Sequence, residues 1–196
     1  MGSNTYLLKS AGKGDYQRIL VGGMAGRRNR VLQLERVGPF IPPLSVVGWD
    51  LIVTEEMRSI LSQSEFGPIR LKPVHKTHIV RWEWSQLAEA DDLHGEPEDM
   101  ILLKPHDPDT DSLLGKLYEL VLPTECTVVD CETNRSLTKY TLNCKQLPEE
   151  DLFRARFPGG TCPMCSSKFR DWILTLDEVH PWISFCPAKI KLVGTG

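Results

Sequence analysis

No apolar run in this chain approaches the ~18 residues that a membrane helix needs, and no charged-then-apolar leader opens it. The expectation is a cytoplasmic protein with no membrane partner. An excess of basic charge is also missing. A net charge of −3 over 196 residues excludes a strongly basic nucleic-acid binder by bulk charge, so nucleic acid is not the expected partner. Phosphate cradles are missing too. Gly22-Gly23-Met24-Ala25-Gly26 precedes Arg27, Arg28 and Arg30, but its spacing fits neither GxGxxG nor the P-loop. Strand-like Val31-Leu32-Gln33-Leu34 follows where a helix N-terminus is required, which leaves a turn with solvated arginines. There is no nucleophile elbow and no pair of carboxylates on a recognisable frame. No catalytic residue is assigned, and no enzyme is expected.

What remains is ordinary: 41% hydrophobic and 25% charged residues, enough for one sizeable domain with a buried core. Asn4 to Lys9 and Tyr16 to Val21 are strand-like runs around Ala11-Gly12-Lys13-Gly14-Asp15, a hairpin signature. Leu51-Ile52-Val53 runs into the strongest helix signal. Thr54 suits its cap, Glu55 and Glu56 suit the positive end of its dipole, and Met57, Ile60 and Leu61 share one face. Ile69 to Val74 and His78 to Trp84 read as strands, the second placing Val80, Trp82 and Trp84 on one face. Lys116 to Leu122, Thr127 to Asp130 and Leu137 to Leu142 read as strands as well. Leu147 to Phe157 carries a helix signature, with Pro148 in its first turn and Arg154 and Arg156 near its end. The predicted fold class is α+β: a mostly antiparallel sheet with a few short helices and a C-terminal, β-rich cysteine knuckle. An N-terminal region, 1–122, and a strand-rich region, 123–196, form one compact unit in this reading.

Six cysteines without a leader point to reduced thiols or metal ligands rather than disulfides. Cys126, Cys131 and Cys144 read as small buried hydrophobes. Cys162-Pro163-Met164-Cys165 follows the break Pro158-Gly159-Gly160. On a tight turn, two thiolates at this spacing face one tetrahedral Zn²⁺ at ~2.3 Å. Cys186, in Phe185-Cys186-Pro187, adds a third candidate ligand from the far side of a hairpin, with Phe169 to Leu176 as a strand between them. The metal candidates are therefore Cys162, Cys165 and Cys186, and the cofactor is a structural zinc. No second Cys-x-x-Cys and no His-x-x-x-His completes the set. A redox role for the pair fits less well, since redox Cys-x-x-Cys motifs usually open a helix after a strand.

Charge is distributed unevenly. From Glu83 to Asp111 ten acids face the single base Lys104, nine net negative charges, while Lys9 to Arg36 carries a surplus of five positives. A solvated loop accounts for the acidic stretch. A sharper reading makes it a patch that steers and captures a basic protein surface. The candidate contact residues are Trp82, Trp84, Glu89, Asp91, Asp92, Glu96, Glu98, Asp99, Asp107, Asp109 and Asp111.

The block from Trp49 to Leu61, followed by Phe66-Gly67-Pro68-Ile69-Arg70-Leu71-Lys72-Pro73-Val74, resembles a stretch found in several families of bacterial immunity proteins. Cys162-Pro163-Met164-Cys165 with Cys186-Pro187 downstream resembles the double-CxxC immunity proteins that accompany secreted polymorphic toxins. Ser166 stands where that pattern has glycine, and Lys189 stands where Cys186 would have its partner, so a fourth zinc ligand falls to His180 or Cys144. The resemblance implies a protein that neutralises a cognate toxin domain by binding it. A zinc-knuckle nucleic-acid or adaptor module and a thiol- or metal-dependent enzyme are the alternatives.

Overall fold

The computed structural model describes residues 5–11, 22–66, 69–82, 98–134, 137–145 and 148–192. Its first seven strands are Thr5–Ser10 (β1), Met24–Arg28 (β2), Val31–Gly38 (β3), Leu44–Val47 (β4), Asp50–Thr54 (β5), Leu71–Pro73 (β6) and His75–Arg81 (β7). The others are Leu117–Leu120 (β8), Thr124–Asn134 (β9), Leu137–Cys144 (β10), Leu152–Phe157 (β11), Gly160–Ser166 (β12) and Ile183–Leu192 (β13). Helices cover Glu55–Gln63 (α1), Asp99–Leu102 (α2), Pro108–Leu113 (α3) and Ser167–Ile173 (α4), and a 3₁₀ turn covers His180–Trp182.

The class is α+β with strands dominant. The arrangement differs from a single antiparallel sheet. Six strands close into a barrel in the order β1-β12-β11-β9-β10-β13, beside a three-stranded sheet β2-β3-β7 and a four-stranded sheet β4-β5-β8-β6. Among the described residues three pairings are parallel, β3 with β7, β9 with β11 and β10 with β13. β1, from the start of the chain, pairs with both β12 and β13 and so closes the C-terminal barrel.

Side-chain alternation explains the layering. Leu44, Val46, Leu51, Val53 and Leu120 of the four-stranded sheet pack with Tyr6, Leu8, Leu152, Cys165 and Ile183 from the barrel's outer face. Their neighbours Val47, Ile52 and Leu117 pack on the opposite side with Leu32, Leu34 and Ile79 of the three-stranded sheet. The four-stranded sheet is buried on both faces, which is why β5 reads as an unbroken apolar run. The barrel has its own interior of Leu7, Leu142, Phe153, Ala155, Cys162 and Met164, with Cys126 and Cys144.

α1 forms as its sequence predicts. Thr54 Oγ1 accepts from Met57 N at 3.2 Å, and Met57 and Leu61 are buried, though Ile60 is 38% exposed. Two other segments exchange roles. Leu152–Phe157 is a strand, because Phe153 and Ala155 fill the barrel interior while pairing with β12 satisfies the backbone. Phe169 and its neighbours form α4 instead of a strand. Ser166 caps α4 by accepting from Phe169 N at 3.1 Å, and Phe169 and Ile173 bury one face.

For one pair of cysteines the expectation of reduced thiols is corrected, while Cys162, Cys165 and Cys186 are free. Cys126 and Cys144 stand directly opposite each other on β9 and β10 with Cα atoms 4.5 Å apart, and their sulfurs are bonded. Strand pairing brings opposite residues to the separation a disulfide needs. The bond closes a loop of 18 residues in sequence separation, for which chain entropy predicts about 3 kcal/mol of stabilisation. Urea denaturation of the Cys126→Ala/Cys144→Ala protein should show a loss of that order. Unchanged stability would mean that the strands alone hold this end of the barrel.

Candidate protein-binding face

The described part of the acidic segment, Glu98 to Asp111, is fastened to β7 by its backbone. Asp107 N donates to Ile79 O at 2.7 Å, and Ile79 N donates to His106 Nδ1 at 3.0 Å. His78 Nε2 lies 3.0 Å from Ile101 O and 2.9 Å from Lys104 O, so one ring N–H serves the two carbonyls that end α2. α3 then seats against β3 at Gly38. A Cβ there would lie 2.6 Å from Thr110 Cγ2, so only glycine admits the helix this closely.

Asp107 is the cap of α3. Its carboxylate accepts from Thr110 N, Asp109 N and Thr110 Oγ1, at 3.4, 3.1 and 3.0 Å. The Thr110 backbone bond is the main cause that holds its pKa below the ordinary carboxylate value, and Arg81 adds to it. Asp111 pairs with Lys76 Nζ and lies 3.7 Å from His106 Nε2. Both carboxylates therefore work inside the fold, and Asp99 and Asp109 are the exposed ones. Trp82 is not presented to solvent: it is 8% exposed, with Lys104 Nζ 4.8 Å from its ring centroid. Trp84, Glu89, Asp91, Asp92 and Glu96 lie outside the described residues.

What this face does present went unread in the sequence. Leu102, Leu103 and Leu113 are 56%, 78% and 73% exposed, at the ends of α2 and α3. Their signal was the Leu102-Leu103 pair standing in an otherwise acidic stretch.

The cysteine motif is a strand, not a turn. Cys162 lies in the barrel interior and donates to Ala155 O at 3.5 Å, whereas Cys165 packs in the core outside the barrel. Residues three apart on a strand point to opposite faces, so the two thiols cannot share one ion in this conformation. Cys186 lies beside the barrel interior, with Cys162. Among the described residues no group of three or more His, Cys, Asp or Glu side chains is placed to hold a metal. Burial pushes the Cys162 thiol up to about 11 and raises Cys165 as well, the reverse of what activates a redox pair.

A second charged cluster joins the layers. Asp50 Oδ1 accepts from Arg27 and Arg154, both at 2.8 Å, and Arg27 also forks onto both oxygens of Glu119 at 2.7 and 3.1 Å. Arg154 continues to Trp49 O and Thr161 Oγ1. The hydrogen bonds to Glu119 are the largest cause raising the Arg27 pKa. These residues line an open cavity of about 440 Å³.

Two outcomes are expected. Asp107→Ala should lower Tm at neutral pH. The folded pKa of Asp107 is depressed, so its contribution is complete above the unfolded value of about 3.9 and disappears as pH falls through the folded value. The Tm deficit should accordingly narrow in acid, and a pH-independent deficit would contradict the charged cap. Second, iodoacetamide should label Cys162 and Cys165 slowly in the native protein and readily in urea, and chelators should leave Tm unchanged. Stoichiometric zinc bound by both thiols would overturn the strand assignment. Comparison of the chain with protein-family models, curated proteins and solved structures returned no match.

Proposed function

We propose that this chain is an immunity protein that binds a cognate secreted toxin domain and neutralises it. The observation that carries the reading is an apolar face beside acids: Leu102, Leu103 and Leu113 are exposed on two short helices that also expose Asp99 and Asp109, in or next to a stretch, Glu83 to Asp111, whose sequence carries nine net negative charges. Exposed leucines supply desolvation energy, and the acids around them favour a basic partner such as a nucleic-acid-binding cleft. Rigid attachment to β7 supports the same role, since a pre-ordered face loses little conformational entropy on binding. The resemblance of Trp49–Leu61 and Phe66–Val74 to immunity-protein stretches points the same way.

Composition leads to the cytoplasm, whereas the Cys126–Cys144 bond is better kept in an oxidising compartment. No helix among the described residues is long and apolar enough to cross a membrane.

The test is kinetic. Asp99→Asn/Asp109→Asn, combined with neutralisation of Glu89, Asp91, Asp92 and Glu96, should slow association with the toxin and flatten its salt dependence. Leu102→Ser/Leu103→Ser should act mainly by faster dissociation, about tenfold or more, as expected for buried apolar anchors. Unchanged kinetics in both variants would remove this face from the interface.

A further inference from the structure

Beyond the acidic segment, α3 ends at a second feature. Leu113 lines an open cleft of about 600 Å³ together with Phe40 and Trp182. The two rings lie 5.4 Å apart at 48°. Phe40 is fixed from behind, because the fully buried Arg36 donates from Nε to Val37 O at 2.9 Å and from a guanidinium nitrogen to Phe40 O at 3.2 Å. Among the described residues, its lining carries three acids, Glu55, Glu56 and Glu178, and one base, Lys116.

The three carboxylates are not equivalent. Glu55 is occupied by Arg58 and by the Tyr118 hydroxyl. Glu56 and Glu178 are exposed and make no ion pair or side-chain hydrogen bond with the described residues. A cleft lined by aromatic rings, leucines and exposed carboxylates suits a long side chain with an apolar stem and a cationic head. The stem is buried against the rings and leucines, and the charge stays beside the carboxylates. A neutral apolar segment would leave the carboxylates unused, and an anion would be repelled by them.

We propose that this cleft receives an arginine or lysine side chain of the partner protein, as an anchor adjoining the leucine-bearing face. This rests on the reading of the chain as a toxin-binding protein and gives that reading a specific contact. A phosphate or an acidic peptide is excluded by the same charges. The cleft is reached from α3, so one partner surface can engage both features.

The test uses N-acetyl-arginine amide as probe, followed by ¹H–¹⁵N spectra with the Trp182 indole assigned through Trp182→Phe. Saturable displacement of that indole signal is expected in the millimolar range, with N-acetyl-norleucine amide about fivefold weaker or more. Glu56→Gln/Glu178→Gln, both on exposed positions, should weaken the arginine probe by about fivefold while lowering Tm only slightly, through the charge lost from the first turn of α1. No saturable shift, or equal binding of the arginine and norleucine probes, would overturn the proposal. Retention of full arginine affinity in the Glu56→Gln/Glu178→Gln protein would do the same. Probe binding without a recoverable toxin partner would uphold the cleft and remove the wider reading. A toxin complex whose affinity ignores Glu56 and Glu178 would uphold the wider reading and remove the cleft.

Discussion

One carboxylate oxygen, Asp50 Oδ1, is shared by Arg27 and Arg154, and that shared acceptor joins every layer of the molecule. Arg27 comes from the three-stranded sheet, Asp50 and Glu119 from the central sheet, and Arg154 from the barrel. Apolar packing alone lets sheets slide, since it is non-directional. A chain of directed ion pairs across both interfaces fixes their register. Glu119 is 4% exposed and Arg154 9%, so removing one partner strands a mostly buried charge. The pairs therefore act more on the uniqueness of the arrangement than on its net stability.

From that fixed stack the candidate face follows by short steps. β7 pairs in parallel with β3, and the backbone of β7 holds the acidic segment through Ile79, His78 and their partners. Gly38 lets α3 approach β3, and Arg36, two residues earlier, sets the carbonyls that carry Phe40 to the cleft. Leucines that would normally be covered stay exposed because both helices are only a turn or so long and their other faces are already spent on β3 and β7. The apolar surface is thus presented by a rigid support rather than by a loop that must order on binding.

The sequence carried the local parts of this plan. Thr54 and its following acids announce α1, and the cap works through neighbours in the chain. β1, β8 and β10 were also legible from apolar runs bounded by turn residues. Where the deciding contact is distant, the sequence misleads. Leu147 to Phe157 has the composition of a helix, yet Phe153 and Ala155 are fixed as strand residues by a barrel whose other staves lie elsewhere in the chain. Cys162-x-x-Cys165 suggests a knuckle, yet pairing with β1 and β11 extends it and turns the thiols apart. The Cys126–Cys144 bond depends on a cross-strand register that spacing cannot reveal. The acidic segment was visible as charge, but which acids are spent on caps and ion pairs, and which leucines remain exposed, required the tertiary contacts of β7 and Gly38.

Under the proposed function, this stack holds one acidic, leucine-bearing face toward another protein. The deciding measurement is hydrogen–deuterium exchange on the chain mixed with the product of the gene directly upstream, the candidate partner under the proposed function. A one-to-one complex is expected, with added protection at Leu102, Leu103, Asp109 and Leu113 and little change around the barrel. Absence of a complex, or protection confined to the barrel strands, would contradict it.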